Sequence, residues 1–242
     1  TDTLSLHDAL PIWPDVEAAC RKFRENWVES VVVTGGEPTL HPGVVDIVSK
    51  LHEWKFSVKL DTNGSRPRVL ETLLPLVDYV AMDVKFAPAD YPERAGFADI
   101  GALTESIAML HERARRYEFR TTVIEAWHGE DKMHAIGEWV RGARLHVLQA
   151  FVPRDDLPDP ACRVMRETPA DLMHPLADVL RAAPGMRVSQ PGNAAEGETF
   201  IMRGLSGNQY VKILINNIPV KPRVALGMPI GAQLPIRQAE RI

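Results

Sequence analysis

The sequence predicts an α/β protein in which a parallel sheet is covered by helices. Short β-branched runs recur along the chain, helix-patterned segments separate them, and the runs are largely apolar on both faces, as buried parallel strands are. Taken in order, Pro14 to Asn26 reads as a helix and Val28 to Thr34 as the first strand. Pro42 to Trp54 follows as a helix, with Val44, Ile47, Val48 and Leu51 at helical spacing. Phe56 to Asp61 and Val77 to Lys85 read as strands flanking a helix from Arg66 to Leu74. A helix over Ile100 to Arg116, a strand over Phe119 to Glu125, a helix over Asp131 to Arg141 and a strand over Leu145 to Val152 continue the rhythm. A last helix, Pro169 to Ala183, and short strands near Arg187 and Thr199 would close the domain around Gly204. This alternation suits an open doubly wound sheet and a barrel equally.

The 242 residues, 45% hydrophobic and 25% charged, are enough for one large domain or two small ones. A formal net charge of -4 gives no basic surface for extended nucleic-acid binding. No stretch approaches the roughly 18 consecutive apolar residues of a membrane span, and no basic segment leads into a cleavable apolar one. The expectation is a cytoplasmic protein. Cys20 and Cys162 are too few for a disulfide framework or a complete metal site. His128 and His134, six apart around Gly-Glu-Asp, suit no joint ligation and are expected at the surface.

In parallel β/α folds ligands sit at the carboxyl ends of strands. The first predicted strand ends in Thr34-Gly35-Gly36-Glu37-Pro38, a loop that offers bare main-chain groups, one carboxylate and a fixed exit at Pro38. The second ends in Asp61-Thr62-Asn63-Gly64, with Ser65 placed to cap the next helix and Pro67 in its first turn. The third puts Asp83 and Lys85 on one side with Ala81. They make either a structural ion pair with Asp61 or a ligand site.

TGGEPTL, KLDTNGSRP, LVDYVAMDVKFAP, YEFRTTV and LQAF, in this order, resemble the radical S-adenosylmethionine superfamily. Within it the similarity is to glycyl-radical activases, such as the activating protein of anaerobic ribonucleoside-triphosphate reductase. The resemblance covers about Trp13 to Gly204. It implies a partial (β/α)6 barrel that holds S-adenosylmethionine along its strand ends. It also implies a 4Fe-4S cluster that reduces this cofactor to a 5'-deoxyadenosyl radical, an electron donor such as flavodoxin or ferredoxin, and a glycyl-radical enzyme as protein substrate. By similarity, Gly35, Gly36, Glu37 and Pro38 match the motif that holds the methionine amino group. Asn63, Lys85 and Gln149 fall in cofactor-contacting segments, and Asp61, Thr62 and Asp83 fall where a monovalent cation is held. Arg120 and Thr122 are further candidates at a strand end.

The chain departs from the family in one respect: it has no CxxxCxxC loop, whose three thiolates leave the unique iron open. Thr3 to Ile12, TLSLHDALPI, is the translation of ACT CTT TCC CTA CAC GAC GCT CTT CCG ATC, which resembles a sequencing-library adapter. Residues 1–12 are therefore expected to be non-biological, and residues 13–204 a barrel lacking its first strand and cluster loop. Such a fragment is expected to be inactive by itself. Residues 205–242, with five Lys/Arg against Glu240, read as a C-terminal extension or as mis-framed sequence. Three rival readings are a 7-carboxy-7-deazaguanine synthase-like enzyme, a clusterless module that binds S-adenosylmethionine or a partner, and an unrelated barrel enzyme using Glu37, Asp61 and Lys85 as acid-base groups.

Overall fold

The structure, a computed structural model, describes residues 13–25, 29–155, 157, 159–182 and five two-residue strands at 188–189, 201–202, 205–206, 214–215 and 218–219. The adapter-like segment 1–12 and most of 205–242 lie outside the described residues.

A six-stranded, all-parallel sheet runs in the order β1 (Ser30–Val33), β2 (Ser57–Thr62), β3 (Tyr79–Asp83), β4 (Tyr117–Val123), β5 (His146–Ala150) and β6 (Val188–Ser189). Strictly sequential order, with the right-handed crossovers that parallel strands require, puts the helices that connect the strands on one side of the sheet and curves it toward a barrel. A doubly wound sheet would reverse its strand order, so the alternative left open by the sequence is settled in favour of the partial barrel. The strand expected near Thr199 does not join: β7 (Ile201–Met202) pairs antiparallel with β8 (Leu205–Ser206). β9 (Leu214–Ile215) and β10 (Ile218–Pro219) form a second such ladder.

The helices are α1 (Trp13–Glu25), α2 (Val44–Glu53), α3 (Pro67–Leu73), α4 (Tyr91–Arg94), α5 (Ile100–Arg113), α6 (Glu130–Trp139), α7 (Pro160–Arg163) and α8 (Ala170–Arg181). α2 packs on α3, α3 on α5, and α6 on α8. Their apolar stripes, among them Val48, Leu70, Leu73, Leu103, Ile107, Leu110, Ile136 and Leu176, are buried against Leu60, Val80, Met82, Phe119 and Leu148 of the strands. Burying each such side chain contributes about 1.5–3 kcal/mol. Because side chains alternate along a strand, the other row, Lys59, Asp61, Tyr79, Asp83, Glu118, Arg120, Thr122 and Gln149, turns to the concave face.

The turn after β2 differs in detail from expectation. Ser65 does not cap α3; Arg66 precedes it without a side-chain cap, and Asn63 Oδ1 accepts the Ser65 N–H at 2.9 Å. Gly64 has φ +74°, and a Cβ there would lie 2.1 Å from Met82 Cε and 2.9 Å from Sδ. Met82 is fully buried, and the Gly64 carbonyl accepts from Ser106 Oγ at 2.7 Å. Gly64→Ala is therefore expected to cost about 1–3 kcal/mol through left-handed strain and overpacking. Urea unfolding reads this directly; an unchanged midpoint would mean that Met82 yields freely.

Candidate active site

Glu37 joins the first two strand ends. Its Oε1 accepts from Thr39 N–H at 3.1 Å, Thr39 Oγ1 at 2.5 Å and Thr62 Oγ1 at 2.8 Å, and its Oε2 accepts from Asn63 N–H at 2.6 Å. Thr62 Oγ1 in turn accepts the Gly64 N–H at 3.1 Å. The carboxylate thus caps the 3-10 turn Pro38–Leu40 and ties the β1 loop to the β2 loop. With Oε1 already serving three donors, its remaining accepting capacity lies on Oε2. Gly35 and Gly36 stand exposed just before it, Gly35 at φ +155°, and a Cβ added to either meets nothing within 4 Å. They form an open main-chain shelf at the carboxyl end of β1.

The concave face beside this shelf carries a ladder of charges. Arg120 donates from Nε and Nη2 to Asp83 Oδ1 at 3.0 and 2.9 Å, and its Nη1 lies 3.4 Å from Asp61 Oδ2. The β3–β4 register sets Asp83 opposite Arg120, which makes this pairing possible. Below it, Lys59 Nζ lies 3.4 Å from Asp61 Oδ1 and 3.7 Å from Glu118 Oε1. Lys59 is 2% exposed and Glu118 1%. Tyr79 Oη donates to Glu118 Oε2 at 2.9 Å, and the Lys59 ammonium lies over the Tyr79 ring, 5.6 Å from its centroid. Burial drives the Lys59 pKa down, outweighing the pull of Asp61 and Glu118. Burial and the neighbouring Glu118 push the Tyr79 phenol up, so it stays a hydrogen-bond donor.

Several expectations are corrected by this geometry. Lys85 is exposed beyond the end of β3 and does not pair with Asp61 and Asp83; Arg120 takes that role. The Thr62 hydroxyl turns to Glu37, away from Asp61 and Asp83. His134 is exposed as expected, but His128 is 1% exposed and hydrogen-bonded on both ring nitrogens. Cys162 sits in the short helix α7. Thr122 and Gln149 are register partners, both exposed near the rim. Sequence reasoning missed Lys59, Tyr79, Glu118 and Tyr91. The period-two spacing of Lys59 with Asp61 and of Glu118 with Arg120 was the available signal.

Comparison with known proteins follows the same lines. A family model described as the Radical SAM superfamily matches residues 9–135, more than half of the chain. The chain belongs to the radical SAM superfamily. A protein of Methanocaldococcus jannaschii named as a glycyl-radical enzyme activating enzyme is 33% identical over 137 residues, covering 53% of this chain and 57% of the relative. The chain therefore spans little more than half the length of that radical SAM relative. The 7-carboxy-7-deazaguanine synthase of Methanothermobacter thermautotrophicus is 41% identical over 58 residues, 24% of this chain and 23% of the relative. Among solved structures, a domain of pyruvate-formate lyase-activating enzyme from Bacteroides vulgatus aligns with TM-score 0.53 at 18% identity, over 67% of this chain and 99% of that one. That likeness shows a shared fold. A second family model, the TonB-dependent Receptor Plug Domain, matches residues 166–242, under a third of the chain. Its first part overlaps α8, whose Met173, Leu176, Ala177 and Leu180 are buried in the barrel's core.

Radical SAM membership implies S-adenosylmethionine and a 4Fe-4S cluster. The open shelf at Gly35 and Gly36, with hydrogen-bonding rim residues beside it, fits the first. The second does not fit: the chain has two cysteines, Cys20 on α1 and Cys162 on α7, one short of the three thiolates of a site-differentiated cluster. Of the residues expected to hold a monovalent cation, Asp61 and Asp83 are engaged by Arg120, and Thr62 by Glu37. Among the described residues no group of three His, Cys, Asp or Glu is placed to hold a metal ion.

Proposed function

We propose that this chain is the cofactor-binding part of a glycyl-radical activase acting on anaerobic ribonucleotide reductase or a related enzyme in the cytoplasm, with a flavodoxin or ferredoxin as electron donor. The observation that carries the reading is the Glu37 cross-link, which ties the Gly35-Gly36 shelf after β1 to the end of β2, beside the Asp61–Arg120–Asp83 ladder of β2, β3 and β4. When bound, S-adenosylmethionine supplies a sulfonium whose one-electron cleavage gives the 5'-deoxyadenosyl radical. In this reading the main-chain groups of Gly35 and Gly36 bind the methionine end, with Glu37 Oε2 as an acceptor for its ammonium and Pro38 fixing the loop. Asn63, Lys85 and Gln149 complete the rim. Asp61, Thr62 and Asp83 serve through their protein partners rather than through a cation. The similarity to a glycyl-radical activase over 137 residues supports this reading over a 7-carboxy-7-deazaguanine synthase-like one, whose similarity spans 58.

With two cysteines, the chain itself is expected to bind the cofactor without cleaving it. Anaerobic reconstitution with iron and sulfide, followed by dithionite and S-adenosylmethionine, should give neither a 4Fe-4S electron paramagnetic resonance signal nor 5'-deoxyadenosine. Appearance of both would show that Cys20 and Cys162 suffice with non-cysteine ligands.

A further inference from the structure

The peptide of Lys85 is gripped from both sides by groups outside the ladder. Its N–H donates to Tyr91 Oη at 2.8 Å, and its carbonyl lies 2.8 Å from His128 Nε2. Tyr91 opens α4, and His128 lies in the loop between β4 and α6. A carbonyl oxygen only accepts, so Nε2 carries the proton; in the neutral ring Nδ1 is then bare and accepts the Ile124 N–H at 3.0 Å. Burial pushes the His128 pKa down and favours the neutral ring, against the weaker pull of its backbone hydrogen bonds at Lys85 and Ile124 and of Asp90, whose carboxylate is paired with Lys132 at 2.9 Å. Phe86, the residue after Lys85, stacks on the His128 ring at 5.6 Å and meets Tyr91 edge-on at 5.8 Å. His128 and Tyr91 are 1% and 4% exposed, whereas the Lys85 side chain is exposed at the rim. A rigid buried clamp thus carries one solvent-facing ammonium.

We propose that His128 and Tyr91 are positioning residues that fix the Lys85 peptide and thereby aim its ammonium at the bound cofactor, where it can meet a carboxylate or ribose hydroxyls. This rests on the proposed placement of S-adenosylmethionine along the strand ends. Held in advance, Lys85 need not lose backbone freedom on binding, and the affinity keeps what that ordering would cost.

The test uses His128→Phe, which keeps the stack on Phe86 but removes both hydrogen bonds, together with His128→Gln, Tyr91→Phe and Lys85→Met. Two quantities are read in each: exchange of the Lys85 amide by NMR and the affinity for S-adenosylmethionine by calorimetry. His128→Phe and Tyr91→Phe should speed Lys85 amide exchange by about tenfold or more. His128→Phe should weaken cofactor binding about tenfold, with His128→Gln recovering most of the loss through its amide donor. In a Lys85→Met background the His128→Phe loss should vanish, because the two act through one contact. An equal loss in that background would make His128 merely structural and overturn the inference, as would unchanged Lys85 exchange in both clamp variants. Failure of the cofactor reading looks different: wild-type protein would not bind S-adenosylmethionine, or Lys85→Met would bind it normally, while the exchange data still decide whether the clamp exists.

Discussion

Lys59→Met is expected to lower the unfolding free energy by about 3–5 kcal/mol at neutral pH, because it leaves the buried Glu118 carboxylate without its ion-pair partner, while Asp61 keeps Arg120. Lys59 lies between Asp61 and Glu118 with all three nearly inaccessible to water, and Glu118 Oε1 makes no hydrogen bond. The single change removes the positive charge and keeps both negative ones. Adding Glu118→Gln should restore most of the loss, since glutamine still accepts from Tyr79 Oη without a charge to compensate. Urea unfolding of the single and double variants decides this; a single variant within about 1 kcal/mol of wild type would mean that water reaches the ladder. The same residue shapes the alkaline limb. Its folded pKa lies below the unfolded 10.5, so between the two values the unfolded chain binds more protons and stability rises with pH. Lys59→Met should abolish that rise.

His146 is expected to dominate acid destabilisation. It is fully buried on β5; its Nε2 meets Thr121 Oγ1 at 2.9 Å, and Thr121 itself donates to the Val84 carbonyl at 2.6 Å, so the imidazole is the donor and Nδ1 is left bare. Burial lowers its pKa from 6.5 to about 3. Between those values the unfolded chain binds the proton and the folded chain does not, so the neutral ring's contribution is complete above pH 6.5 and is lost progressively down to pH 3. At about 1.4 kcal/mol per pH unit, the loss reaches about 3 kcal/mol by pH 4 and about 4 kcal/mol at pH 3. His146→Leu, which leaves the Thr121 to Val84 bond in place, should flatten the dependence of stability on pH between 6.5 and 4. A variant whose stability falls as steeply as wild type would place the acid transition in the carboxylates instead.

The β/α alternation was legible because β-branched runs and helical stripes such as Val44, Val48 and Leu51 are local signals. The order of the strands was not, because pairing of β4 beside β3 involves residues far apart in sequence. For the same reason TGGEP pointed to the site while the partners of Glu37 stayed hidden: Thr62 and Asn63 reach it only once β1 and β2 lie side by side. Arg120 was one further strand-end candidate with no partner assigned until the register set it against Asp83. His128 looked like a surface histidine in a polar loop, and its burial depends on Phe86 and the Lys85 carbonyl arriving from another strand. The small hairpin at β7 and β8 gave only a strand signal near Thr199, with nothing to say that it would leave the sheet.

The most direct test of the cofactor-site account is a calorimetric titration of S-adenosylmethionine into the wild-type chain and into Gly36→Val. Gly36 has open space where a Cβ would stand, so a side chain there starts without a clash and extends over the shelf. The account predicts saturable binding at one site in wild type and at least about tenfold weaker binding in the variant, with unchanged thermal stability. Absence of saturable binding in wild type, or equal affinity in the two proteins, would contradict it.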